Sequence, residues 1–131
     1  MKTDVFEILS DLEAVVPLHL RRGQVLVHEG HVPMGIYYLH TGTIDVVFAS
    51  SREGGRGRKA HHVVSGPLMF PRISELDTEA GCTITTAMPV HVLFIPRSVI
   101  LLNSDIHDTV RELNVKKMSL VSIRDQQRES E

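Results

Sequence analysis

At 131 residues, with 42% hydrophobic and 23% charged side chains, the chain has the make-up of one ordinary soluble domain of residues 1–131, with enough apolar surface for a core. The net charge of −2 gives no overall electrostatic footprint for nucleic acid. A single cysteine, Cys82, excludes an internal disulfide and a cysteine-rich metal site, and the acidic start lacks the basic and apolar regions of a secretory signal.

The chain begins with a predicted helix over residues 1–17. Val5, Leu9, Leu12 and Val16 fall on one stripe of a 3.6-residue period, Asp4 with Glu7 makes a near-capping-box start, and Pro17 is expected to end the helix. From Arg21 to Phe48, glycines 23, 30, 35 and 42 punctuate short runs of Val, Ile, Leu and Tyr. Strands are predicted over Gln24–His28, Ile36–His40 and Thr43–Ala49. In the last of these Ile44, Val46 and Phe48 alternate with Thr43, Asp45 and Val47, so one face is buried and the other wet. Turn signals at such short intervals favour an antiparallel sandwich or barrel over a parallel sheet.

Ser50–Lys59 carries four basic residues, three glycines and no large apolar side chain, and is expected to be a mobile loop. His61–Ser65 resumes as a strand. Gly66–Gly81 is expected to be irregular with one short helical turn, and Cys82–Ala87 and Val90–Ile95 read as further strands. From Arg97 the pattern becomes helical. Ser104 or Asp105 is the expected cap of a long last helix whose Ile106, Val110, Leu113, Lys117 and Leu120 alternate spacings of four and three. The polar tail RDQQRESE should fray.

This order of elements resembles the cyclic-nucleotide-binding domain family, the sensor domains of catabolite-activator-type regulators. The resemblance rests on Gly23, Gly30 and Gly42, on the YYLHTGTIDVV step, and on Ile95-Pro96-Arg97 closing the last strand. It implies a mainly β fold, a jelly-roll barrel over residues 18–96 between an N-terminal helix and a long C-terminal helix, with C-terminal helices and tail over 97–131. In the family, a Phe-Gly-Glu-Leu segment opens a short helix whose amides cradle the cyclic phosphate. Its Glu takes the ribose hydroxyl, and an Arg in an Arg-Ser/Ala-Ala-Thr run pairs with the phosphate.

The matching stretch here is MFPRISELDTEAGCTITT. Phe70 matches, but Pro71 stands for the Gly, Arg72 for the Glu and Ala80 for the Arg. Proline has no N–H to donate, Arg72 has no lone pair to accept from a hydroxyl, and Ala80 has no charge. At roughly 1.5 to 3 kcal/mol per lost charge-assisted contact, the sum is roughly 4 to 9 kcal/mol, or about three to six decades in affinity. If a ligand pocket functions, its residues are Phe70, Pro71, Arg72, Ile73, Ala80, Gly81, Cys82 and Thr83.

His28, His31 and His40 lack the ligand spacing of metal-dependent barrels, and His61 and His62 point to opposite faces of a strand, so no metal or other cofactor is expected. Cys82, among alternating apolar residues, reads as a core side chain, and no catalytic residue stands out. The resemblance implies homodimerisation through the C-terminal helix at Ile106, Val110, Leu113, Lys117 and Leu120, and leaves no length for the DNA-binding domain that follows this helix in regulators. The expectation is therefore a cytoplasmic, non-catalytic regulatory or signalling interaction module. It has lost ordinary cyclic-nucleotide binding and works through homo-oligomerisation or a protein partner, without DNA or membrane. The alternative is a sensor that binds a cyclic nucleotide or other small molecule through the altered cassette, with Arg72 pairing with phosphate from another side.

Overall fold

The computed structural model describes residues 4–48 and 60–120. The loop expected over Ser50–Lys59 and the polar tail lie outside the described residues. Two four-stranded antiparallel sheets face each other. One runs in the order β1 (Val16–Leu20), β8 (Val90–Pro96), β3 (Gly35–Thr41) and β6 (Leu68–Phe70). The other runs β2 (Val25–Val27), β7 (Cys82–Thr86), β4 (Thr43–Phe48) and β5 (Ala60–Ser65).

The two sheets differ in what covers their outer faces. In β4 the side chains of Ile44, Val46 and Phe48 are buried between the sheets and their neighbours are half-buried, the alternation read from the sequence. In β3 all of Gly35–Leu39 is buried, because Tyr37 and Leu39 point into the barrel while Ile36 and Tyr38 point outward into a second core. That second core is formed by α1 (Val5–Ser10), α2 (Arg97–Leu102) and α3 (Ser104–Glu112) through Leu9, Ile100, Ile106 and Val110. The same two-sided burial explains β6, which the sequence did not mark as a strand. Leu68 and Phe70 face the barrel, Met69 faces the helices, and no polar position is left to reveal the pleat.

Two helix boundaries differ from expectation. The first helix stops at Ser10, although the Asp4 carboxylate does accept the Phe6 amide at 3.0 Å as its N-cap. Val16 and Pro17 belong instead to β1, where pairing of Val16–Leu20 with β8 recruits the stretch. Pro17 is tolerated there because β1 is an edge strand. At the other end, Asn103 rather than Ser104 or Asp105 caps α3, its side-chain oxygen accepting from the amides of Asp105 and Ile106, each at 3.1 Å.

The long final helix is not formed. It ends at Glu112, and Leu113 turns out of helical conformation at φ −61°, ψ 131°. The free edge of β6 competes for the following residues: the Met69 amide donates to the Lys116 carbonyl, and the Met118 amide to the Met69 carbonyl, both at 2.8 Å. Residues 113–120 consequently run back across the barrel as an extended strap.

Gly35 lies opposite Pro96 in the pairing of β3 with β8, and a Cβ there would lie 2.2 Å from the Ile95 carbonyl oxygen. Neighbouring backbone must shift to admit one. Gly35→Ala is expected to lower stability by about 1 to 3 kcal/mol, read as a drop in the urea midpoint at unchanged slope.

Candidate ligand site

β6 delivers Phe70, fully buried, to the barrel interior, and buried Pro71 follows. The chain then forms a single 3-10 turn, Ile73–Glu75, in which the Glu75 amide donates to the Arg72 carbonyl at 2.9 Å and the Leu76 amide to the Ile73 carbonyl at 3.2 Å. Ile73 and Leu76 anchor the turn in the outer core, and Arg72 is exposed. The Arg72 N–H, which a ligand anion would need, is already donated to Glu75 Oε1 at 3.1 Å.

Across the barrel mouth, the run entering β7 is equally engaged. The Ala80 amide donates to the His31 carbonyl at 2.9 Å and the Ala80 carbonyl accepts from Gly30 at 2.7 Å, which clips the turn of residues 28–31 to the cassette. Cys82 is buried in the barrel, and the half-buried Thr83 accepts the Glu29 amide on its hydroxyl at 3.2 Å. The structure thus places Phe70, Pro71, Arg72 and Ile73 on the strand leaving one sheet, and Ala80, Gly81, Cys82 and Thr83 on the strand entering the other.

Between these two runs lies Leu120. Only 2% exposed, it belongs to the same buried cluster as Phe70, Ala80 and Cys82, inside the barrel. Its carbonyl accepts the Gly81 amide at 2.9 Å. Its amide donates to both oxygens of Glu75, at 3.2 and 3.1 Å, and the neighbouring Ser119 hydroxyl donates to Glu75 Oε2. Glu75 is itself buried, so its carboxylate is held by donors from its own turn and from the strap.

Sequence reasoning missed Glu75. The signal that finds it is the pair Glu75-Leu76, which repeats the Glu-Leu of the expected motif three residues beyond the position counted from Phe70. The expected dimer seam is also placed differently. Ile106, Val110 and Leu113 are buried in the chain's own outer core, and Leu120 in its barrel. Lys117 is half-buried, its ammonium donating to the Arg111 carbonyl at 2.6 Å. With the helix ending at Glu112, these five side chains do not share a helical stripe.

Two cavities flank Arg72. One, of about 350 Å³, opens beside β4 and β5 and is walled by Val46, Phe48, His62 and Val64, with Met118 of the strap. The other, of about 340 Å³, lies outside the barrel against α3. Among the described residues no group of three or more His, Cys, Asp or Glu side chains gathers as a metal site; His28 and His31 stand with ring centres 5.4 Å apart. Burial, reinforced by the charges of Glu75 and Glu29, pushes the Cys82 thiol up to about 12.

Two outcomes test this geometry. Removing the carboxylate in Glu75→Ala leaves the Leu120 amide and Ser119 hydroxyl without their acceptor, and should cost about 2 to 4 kcal/mol in urea unfolding. Because Cys82 forms thiolate only near pH 12, a disulfide reagent at about pH 8 should leave it unmodified in the native protein and react rapidly once the chain is unfolded.

The comparisons with known proteins agree with this architecture. The cyclic nucleotide-binding domain profile matches residues 17–101. A variant of the cAMP-binding acyltransferase from Mycobacterium smegmatis superposes with a TM-score of 0.60 at 24% identity, over 77% of this chain and 28% of that one. The catabolite activator protein of Thermus thermophilus gives 0.57 at 16% identity, over 83% and 56%. A cyclic nucleotide-binding-like protein from Brucella abortus gives 0.57 at 22%, over 76% and 81%. The present chain therefore spans about a quarter of the acyltransferase and about half of the activator protein. No curated protein matches it. On the barrel topology and the match to residues 17–101, the chain belongs to the cyclic nucleotide-binding domain family.

Proposed function

We propose that this chain is a non-catalytic regulatory module of the cytoplasm whose barrel no longer takes cyclic nucleotides, because its own strap occupies the place of the ligand. The observation that carries this reading is the set of bonds made by Ser119 and Leu120. In the family the cassette Glu accepts a ribose hydroxyl. Here Glu75 accepts the Ser119 hydroxyl and the Leu120 amide, and the Leu120 side chain fills the adjoining apolar space.

The substitutions act in the same direction. Pro71 has no amide to offer, that of Arg72 is committed to Glu75, and Ala80 brings no charge to pair with phosphate. A nucleotide would have to displace a strap held by Glu75, Gly81 and Met69, and would then find fewer donors than the family supplies. The mycobacterial relative is a cAMP-binding acyltransferase, but here the one cysteine is a buried thiol held protonated, which supports a binding role rather than nucleophilic chemistry.

Action through self-association or a protein partner completes the reading, by a surface other than the expected helical seam. Met34, whose carbonyl accepts the Arg97 amide at 2.9 Å, stands beside the start of α2, and Leu101 and Leu102 lie at the end of that helix. Met34, Leu101 and Leu102 are 78%, 49% and 86% exposed, apolar area at the two ends of α2 that a partner surface would cover. Among the described residues no helix is long and apolar enough to cross a membrane.

A second reading rests on the cavity beside β4 and β5. With Arg72 and His62 on its walls, it would suit a sensor that binds an anionic small molecule through altered contacts. Calorimetry with cyclic AMP, cyclic GMP and a cyclic dinucleotide separates the two. The first reading expects no binding tighter than about millimolar, three decades short of an ordinary site. Micromolar binding that disappears in Arg72→Ala would overturn it in favour of the second. For assembly, light scattering should give the mass of a dimer that falls to a monomer in Leu101→Asp/Leu102→Asp, and an unchanged dimer mass would remove α2 from the interface.

A further inference from the structure

We infer that the cavity between the cassette and α3, outside the barrel, is a binding site for a small amphipathic anion, a medium-chain carboxylate. This site does not depend on whether the barrel itself accepts a nucleotide. Its floor is apolar: Ile36 from the outer face of β3, Met69 from β6 and Val110 from α3, with Pro71 and Ile73 of the cassette as one wall. Its rim is cationic, formed by Arg72, Arg111 and Lys117.

The state of those three cations gives the site its preference. Arg111 is matched, with Asp108 at 3.3 Å and Glu112 at 4.0 Å. Lys117 donates to the Arg111 carbonyl, a cap on the end of α3 whose partial negative charge offsets the ammonium only in part, and among the described residues no carboxylate lies within ion-pair distance of Lys117 or Arg72. Two positive charges without a carboxylate partner among the described residues therefore stand over an apolar hollow. A neutral apolar molecule would leave them unpaired, and an amphipathic cation would be repelled.

Size narrows the ligand further. At about 30 Å³ per water-sized group, a volume of about 340 Å³ takes roughly eleven non-hydrogen atoms, the bulk of an eight- to ten-carbon carboxylate. With the chain against Ile36, Met69 and Val110, the carboxylate would reach the rim, where the planar guanidinium of Arg72 can hold both oxygens. The occupant would also touch the strap, because Lys117 pairs with Met69 and both line the cavity.

The test uses the intact chain and decanoate, with decanol and decyltrimethylammonium as controls of equal chain length. Decanoate should bind saturably at one site and raise the unfolding temperature, whereas neither control should do so. In Arg72→Gln/Lys117→Gln the decanoate affinity should fall at least about tenfold, the size expected on losing a charge-assisted contact, while the unliganded unfolding midpoint stays within a few degrees of wild type. A salt titration of the unaltered protein supplies a readout that needs no variant: decanoate affinity should weaken as ionic strength rises. Absence of saturable decanoate binding, equal binding of decanol, or an affinity indifferent to both salt and the double substitution would overturn the assignment.

Discussion

The carboxylate of Glu75 is the constraint on which the rest of the structure depends. A buried carboxylate must be met by donors, and those within reach are its own turn, through the Arg72 amide, and the strap, through the Ser119 hydroxyl and Leu120 amide. Satisfying it joins two parts of the chain that lie 45 residues apart. The 3-10 turn is drawn tight, the backbone after α3 stays extended, and Leu120 is carried into the barrel. The Arg72 amide, the Glu75 carboxylate and the barrel space beside Phe70 are thereby all committed within the chain.

The same economy appears in the two sheets. The sheet of β1, β8, β3 and β6 serves as floor for two cores, one inside the barrel and one beneath the helices, while the opposite sheet buries only its inner face. Of the elements attached to the doubly buried sheet, the cassette and the strap reach both cores, whereas α3 buries one face, Ile106 and Val110, in the outer core. The cassette turn is fixed on its outer side by Ile73 and Leu76 in the helical core and on its inner side by Glu75. Arg72, exposed like Ser74, is the charged residue of this turn left to meet solvent or a ligand. That places it at the edge of both cavities.

Most of the barrel was legible because β4 and β7 carry period-two patterns, β8 is a compact apolar run closed by Pro96, and Gly23, Gly30 and Gly42 hold positive φ at the turns expected of them. What was not legible has physical causes. β6 lacks alternation because both its faces are buried. The stripe Val5, Leu9, Leu12, Val16 satisfies a helical period, yet the last of the four gains more from pairing with Phe94 in β8 than from one further turn. The apolar positions after Glu112 also fit a helical stripe, and nothing local favours the extended strap, since its reward comes from the edge of β6 and from Glu75, both more than forty residues away. At the candidate site, counting from Phe70 put Arg72 in the place of the family's Glu and passed over Glu75, which the structure joins to the strap. The filling of the site by Leu120 was not legible either, because it depends on a long-range pairing that periodicity cannot encode.

Leu120 and Ser119 are docked in the barrel mouth through Glu75 and Gly81. Amide hydrogen exchange followed residue by residue tests this most directly, since the Leu120 N–H is donated to Glu75 and the Gly81 N–H to the Leu120 carbonyl. Both amides are expected to exchange as slowly as those of β7 and β8, and both to become fast in Glu75→Ala while the strands remain protected. Exchange of the Leu120 amide at the rate of an unstructured chain in the native protein would contradict it.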